Sequence, residues 1–472
     1  MRVIVLLACG LLPAAALAGC GVGDSGSTGA RTLNWYVFNE PGGANEQAIK
    51  TCNKQAGGRY KIRYQRLPTD ANQQRELIVR RLAAEDSTVD LVGMDVIWTA
   101  EFAEAGWILP WDGALRSRAT DGKLEGPRKT VEYQDKVWGI PFTTNTQLLF
   151  FRKDRVKKPE ETLTWEQMID QAARAGKGVE VQAAQYEGYT VWINSLIAGA
   201  GGQIADQSGD VKVDDASGEA AKVIERLASS RAAPAGMATN KEDQARLGFE
   251  TGRSNYQVNY TFIYPSAAEV SSPKDFQKRI GWARYPRTVP DKPSRPPLGG
   301  INIGVGAYTK NSELAFAAAR CLAQPRNQVV ASEKGGLPPT TQSEYENPKV
   351  KKALPFSDLL RESIEQGAPR PVNPAYSDIS LAIQKTFHPP DKIKPGEIVP
   401  KLRDRMEKAA EGKVFALGEA GVPGHSSRRY SPAQLGRASP GARAPSDPAL
   451  SRSGFTAPLN RSTPAESNVR NR

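Results

Sequence analysis

The stretch Trp138–Asp154, WGIPFTTNTQLLFFRKD, decides how the rest of the chain is read. Gly139 and Pro141 close one segment, and Thr143, Thr144, Asn145, Thr146 and Gln147 form a polar patch. Leu148–Phe151 then run as a short buried strand. Polar side chains set between two apolar runs fit a strand that leaves one domain, lays amides and hydroxyls across a cleft, and enters a second domain. The same pattern also fits an ordinary strand with a polar start.

Upstream, Thr32–Phe38, Tyr60–Arg66 and Val89–Met94 read as strands. Helices over 44–55 and 72–84 alternate with them. That alternation predicts a parallel sheet with helices on its faces, whose ligands gather beyond the carboxyl ends of the strands. Asn39, Glu40 and Asp95 fall at such ends. Downstream, Thr164-Trp165-Glu166-Gln167 is a capping box that starts a helix. A second α/β region follows, with helices over 189–200, 217–229 and 241–250, a hairpin-like stretch over 203–214 and a strand over 255–259. The strand 298–305 and the helix 312–323 return the chain to the first domain. Helices near 348–365 and over 395–410 close the folded part.

The ends carry their own signals. Arg2, the apolar run Val3–Ala18 and Leu17-Ala18-Gly19-Cys20 have the charge, core and small-residue end of a secretory signal, with a lipobox-like cleavage site before Cys20. Residues 1–19 are expected to be a lipoprotein signal peptide and 20–31 a lipidated tether, the two acyl chains on Cys20 giving stable membrane anchoring. The alternative is a secreted chain cut near Ala18. Export leaves Cys52 and Cys321 as a lone pair in an oxidising compartment, expected either as a disulfide or as two buried thiols.

The chain has 472 residues and a net charge of +12. Its last 52 residues hold eight arginines against Asp447 and Glu466, which is half of that excess. The folded part is only mildly basic, which argues against a nucleic-acid protein. The tail over 416–472 reads as disordered, with a composition that resembles out-of-frame translation of GC-rich DNA. His388 and the tail's His425 are the only histidines, and no phosphate loop or His/Cys metal spacing appears.

The stretches DLVGMDVIWTAEFAEAGWILP (90–110), PFTTNTQLLFFR (141–152), ARLGFETGRSNYQVNY (245–260), LGGINIGV (298–305) and EKGGLPP (333–339), with the lipobox and tether, carry a resemblance. They resemble the sugar-binding group of extracellular solute-binding proteins of ABC transporters, and within it most closely the trehalose-binding lipoproteins of mycobacterial type. The resemblance covers about residues 32–415. It implies a periplasmic-binding-protein-like α/β fold with two domains (32–143 plus 298–338; 144–297 plus 339–415) joined by a multi-crossing hinge. It also implies a carbohydrate ligand, no cofactor, a monomer, and permease subunits with a cytoplasmic ATPase as partners.

Residue by residue, Asp95 matches a carboxylate that accepts from sugar hydroxyls, and it also suits a helix cap. Asn145 matches the hinge amide and also suits a turn. Glu242 matches an acidic residue ahead of the ARLGFE helix, where a solvated charge fits equally well. Tyr260 stands where the trehalose binders have Trp, which keeps a stacking face but shrinks it and puts the identity of the sugar in doubt. Gly300 matches a glycine whose backbone approaches the ligand, and Arg370 an arginine that donates to hydroxyls. Glu40 has no matched role, though its loop faces the same cleft. The rival functions are a glycoside hydrolase drawing a carboxylate pair from Glu40, Asp95 and Glu242, and a binder of peptides, polyamines or metals.

Overall fold

The structure is a computed structural model that describes residues 30–205, 210–269 and 275–410. The expected signal peptide, Cys20 and the arginine-rich tail lie outside the described residues, as does the middle of the hairpin-like stretch, whose ends meet in a bridge between Ala205 and Val211.

Two sheets organise the chain. Apart from a small hairpin of Glu132–Tyr133 with Lys136–Val137, their strands are β1 (Arg31–Phe38), β2 (Tyr60–Leu67), β3 (Leu91–Asp95), β4 (Ile140–Asn145), β5 (Gln147–Arg152), β6 (Gly178–Glu180), β7 (Ser254–Tyr260), β8 (Ile280–Ala283), β9 (Pro297–Val305) and β10 (Ala368–Pro369). The first sheet has the order β10-β9-β3-β1-β2, with β4 also on β9. Its β1 pairs in parallel with β2 and β3, and β9 runs antiparallel to β3 and β4. The second sheet has the order β8-β5-β7-β6.

The opening stretch is therefore two strands in two sheets. β4 lies on β9 with Asn145 opposite Gly299, and β5 lies on β7 with Gln147 opposite Tyr260. Thr146 alone separates them, so the polar patch is where the chain crosses from one lobe to the other. The 339–415 stretch also touches both lobes, because β10 adds to the first sheet beside Pro297 and Leu298.

Each lobe has a core of its own, and a third cluster packs Leu124, Leu298 and Val329 against Phe150, Phe249 and Phe356 where the lobes join. Around the first sheet, Trp35, Ile62, Phe142 and Ile303 pack on α1 (Ala44–Gln55). The polar-to-apolar alternation of α2 (Ala71–Ala83) buries Ile78 and Leu82. In the second lobe, α3 (Trp165–Arg174) starts with both halves of the capping box in place, Gln167 N donating to Thr164 Oγ1 and Thr164 N to Gln167 Oε1. It places Trp165 5.4 Å from Trp192 on α4 (Glu187–Gly199) and 5.6 Å from Tyr285. Such aromatic pairs add about 0.5–1.5 kcal/mol each beyond their buried area. The lobe is completed by α5 (Asp215–Ser229), α6 (Glu242–Glu250) and two C-terminal helices given below.

Cys52 on α1 and Cys321 on α7 (Ser312–Leu322) form a disulfide, so the returning segment is fastened to the first lobe as expected. Beyond it, α8 (Pro325–Gly335), α9 (Ser357–Glu365), α10 (Tyr376–Phe387) and α11 (Pro395–Ala410) follow. α10 was not anticipated from the sequence. It seats Ile379, Ile383 and Phe387 in the second core and carries side chains that matter below.

Candidate functional site: a polar cleft between the lobes

Asp95 stands at the last residue of β3, where the strand gives way to a turn over Val96–Trp98. The cap is present, and the same oxygen also meets a buried arginine. Its Oδ1 accepts from Ile97 N at 3.3 Å as a cap, and from Arg370 Nη2 at 2.9 Å. Arg370 follows β10 and is 8% exposed. Its Nη1 donates to Glu187 Oε1 at 2.7 Å, so one guanidinium joins a carboxylate of the first lobe to a carboxylate of the second.

Glu187 opens α4 and is buried. Tyr376 Oη donates to its Oε1 and Ser380 Oγ to its Oε2, both at 2.6 Å, from the first turns of α10. Burial works against the charges of Glu187 and Arg370, but Asp95 and Glu187 hold the guanidinium charged. Arg370 Nε has no partner among the described residues, which leaves one donor of the fork uncommitted.

The crossing strands bring the backbone up to this cluster. Gly299 lies opposite Asn145, and a methyl group on it would sit 2.3 Å from Asn145 Oδ1 and 3.6 Å from Arg370 Nη2. Gly300 has φ +145°, and Thr144 Oγ1 donates to Gly299 O at 3.0 Å.

Tyr260 ends β7, and Glu242 begins α6. Burial, with the Glu242 carboxylate adding to it, pushes the Tyr260 phenol up, so it stays a neutral donor; Arg370, Asp95 and Glu187 also act on it. Burial likewise raises Glu242, opposed by the helix's own amide and by Tyr186. Asp95, Asn145, Gly300, Tyr260, Glu242 and Arg370 thus line one region where the lobes meet. Glu40 is engaged locally: its two oxygens accept from Gly42 N and Ala44 N, both at 2.6 Å, and fasten the start of α1.

The sequence reading missed Glu187, Tyr376 and Tyr186. A carboxylate at the head of the apolar helix was the available signal for Glu187, since a buried charge needs a partner.

Beside the Arg370 cluster a cavity of about 170 Å³ opens between the lobes, lined by Asn72, Arg75, Trp98, Glu187, Asp378 and Ser380 among others. Small-molecule sites span roughly 300–1,000 Å³, so the lobes must part to admit a solute larger than this space.

A second buried carboxyl lies deeper in the second lobe. Glu180 on β6 is 2% exposed and accepts from Ser254 Oγ at 2.6 Å. Burial pushes it from an ordinary 4.5 up to about 7, against the Ser254 hydroxyl and Arg253. A folded-state pKa above the unfolded value stabilises the fold below pH 4.5, and that contribution is lost as pH rises through about 7. The loss amounts to roughly 3 kcal/mol. Urea unfolding between pH 5 and 8 is expected to show this fall in the native chain and a flatter profile in Glu180→Gln; equal profiles would refute the assignment.

This architecture, two α/β lobes crossed repeatedly by the chain with polar groups gathered between them, is that of a periplasmic-binding-protein-like solute binder. Residues 38–329 match the model of the bacterial extracellular solute-binding protein family. The chain belongs to that family, whose members are transport components and not enzymes.

A probable ABC transporter-binding protein of Deinococcus radiodurans is 25% identical over 389 residues, covering 78% of this chain and 89% of its own. A galactooligosaccharide-binding protein of Bacillus subtilis is 22% identical, over 64% of this chain and 71% of its own. Among solved structures, maltose-bound T. maritima MalE3 superposes with TM-score 0.71 at 21% identity, covering 82% of this chain and all of that one. The GacH receptor of Streptomyces glaucescens, solved unliganded and with acarbose, gives 0.70 at 20% identity, over 81% of this chain and 99% of its own.

Proposed function

We propose that this protein captures a carbohydrate, an α-linked disaccharide such as trehalose, and presents it to an ABC permease by closing its two lobes. The observation that carries this reading is Arg370, which joins Asp95 and Glu187 from opposite lobes and keeps one uncommitted donor. Its charge is balanced inside the protein. The groups left for a ligand are then amides, hydroxyls, carboxylate lone pairs and the ring of Tyr260, which suit vicinal hydroxyls and a C–H face rather than a fixed ligand charge. The ligand-binding residues are Asp95, Asn145, Glu242, Tyr260, Gly300 and Arg370, supported by Glu187. Relatives named for galactooligosaccharide binding and bound to maltose favour the same class.

The moving bodies are the lobe built on the first sheet and the lobe built on the second, with β10 as a further crossing between them. Ligand that touches both stabilises the closed form by its differential affinity. Lipidated Cys20 would hold the protein at the outer face of the membrane, and Cys20→Ser should release it from the membrane fraction.

Thermal unfolding with trehalose, maltose, sucrose, cellobiose and glucose tests the ligand. A sugar at 100 times its dissociation constant adds about 2.7 kcal/mol. A rise with one α-linked disaccharide, lost in Asn145→Ala, is expected; a flat panel would overturn the disaccharide reading.

A further inference from the structure

A second bridge between the lobes lies beside the proposed sugar site and takes no part in it. Asp70 ends the loop after β2 and caps α2, its Oδ1 accepting from Gln73 N at 3.1 Å. Its other oxygen, Oδ2, accepts from Lys241 Nζ at 2.5 Å. Lys241 sits immediately before α6 in the second lobe, next to Glu242. The starts of the two helices are therefore joined across the cleft through this one pair of side chains.

The ammonium is held in place from a third side. Lys241 Nζ lies 4.9 Å from the centre of the Tyr186 ring, and that ring is buried at the head of α4. Tyr186 in turn faces Glu242, so ring, lysine and site carboxylate form one unit on the second lobe. Asp70 is 17% exposed at its side chain and Lys241 42%. Burial pushes the Asp70 carboxyl up, yet the Lys241 and Gln73 hydrogen bonds bring it below the ordinary range. The bond joins two bodies that must separate for solute to enter, whereas most surface ion pairs join groups that stay together.

We propose that Lys241 and Asp70 form a latch that holds the cleft shut, with Tyr186 seating the lysine, so that this pair helps set how often the lobes open and how long a solute stays. A partly exposed pair is worth little in free energy, which is what a latch that must also release requires. The Arg370–Asp95 bond crosses the lobes as well, and the Lys241–Asp70 pair adds to it a contact that water can replace as the cleft opens. The latch rests on lobe closure but not on the identity of the sugar, so it is testable without ligand.

Hydrogen exchange of the full ligand-free chain provides the test, followed on peptides from α2, α6 and the loop 370–376. Lys241→Met is expected to speed exchange about fivefold in all three, because opening exposes the whole cleft. Asp70→Asn, which keeps a capping side chain, should give the same pattern. The double variant should exceed neither single one, and about 1 M salt should open the native chain but leave the variants unchanged. Acceleration confined to the helix that carries each substitution, summed effects in the double variant, or no change would overturn the latch. Melting temperatures close to the native value confirm that the variants are folded.

Discussion

Arg370→Met is expected to abolish measurable sugar binding, by more than about 100-fold, and to destabilise the fold by about 3–5 kcal/mol. The guanidinium is buried between Asp95 and Glu187, at 2.9 and 2.7 Å, and methionine fills much of its volume without its charge. Glu187 keeps the Tyr376 and Ser380 hydroxyls but loses the cation that is bonded to it among the described residues, and a buried carboxylate so left costs far more than the pair contributed. The variant gains a further signature from linkage. With the cation gone, burial holds the Glu187 pKa further above its unfolded value, so the lost stability should return as pH falls and Glu187 takes up a proton. Arg370→Lys keeps a charge but not a fork that reaches two carboxylates, and should fall between. Urea unfolding at pH 5 and 8, with calorimetric titration of the sugar, checks all three. A methionine variant within 1 kcal/mol of native that still binds would refute the central role of this arginine.

The elements around that arginine show what sequence could and could not reveal. The crossing at 138–154 was legible because a local pattern, polar residues between apolar runs, records a local event: the chain leaving one sheet for another. Helix starts such as Thr164 were legible for the same reason. Sheet membership was not, since a single residue, Thr146, divides β4 from β5 and no periodicity marks it. The strands β6, β8 and β10, of two to four residues, are too short for alternation to show.

At the site, Asp95 and Arg370 were picked out singly, by strand end and resemblance. Their meeting was not, because they are 275 residues apart and only the return of the chain through β10 joins them. Glu187 was missed because the helix was read from Tyr189 onward as apolar, two residues too late. The helix that supplies Tyr376 and Ser380 did carry a usable signal in Ile379, Ile383 and Phe387, one face at intervals of four.

Gly300→Ala is expected to cost about 4 kcal/mol and to weaken sugar binding at least about tenfold, the first from strain and overlap together. The residue has φ +145°, a region that side chains other than glycine's hardly enter. A methyl group there would meet Thr143 O at 2.4 Å and Thr144 Cα at 2.8 Å. Neither can yield cheaply, because both are backbone of β4, the strand that crosses to the second lobe one residue beyond Asn145. Pushing β4 off β9 would displace Asn145 from its place opposite Gly299 and disturb the 3.0 Å bond from Thr144 to Gly299 O. The effect on binding should therefore come through the hinge, without loss of any ligand-touching side chain.

Gly43→Ala provides the control. Gly43 also has positive φ, at 77°, but its methyl group would meet nothing within 4 Å. That variant should lose only the smaller backbone cost, about 1 kcal/mol, and bind sugar normally. Equal losses in the two variants would mean that backbone conformation alone matters at Gly300. A larger loss at Gly300, accompanied by weaker binding, would show that the close approach of β9 to β4 is what positions the cleft.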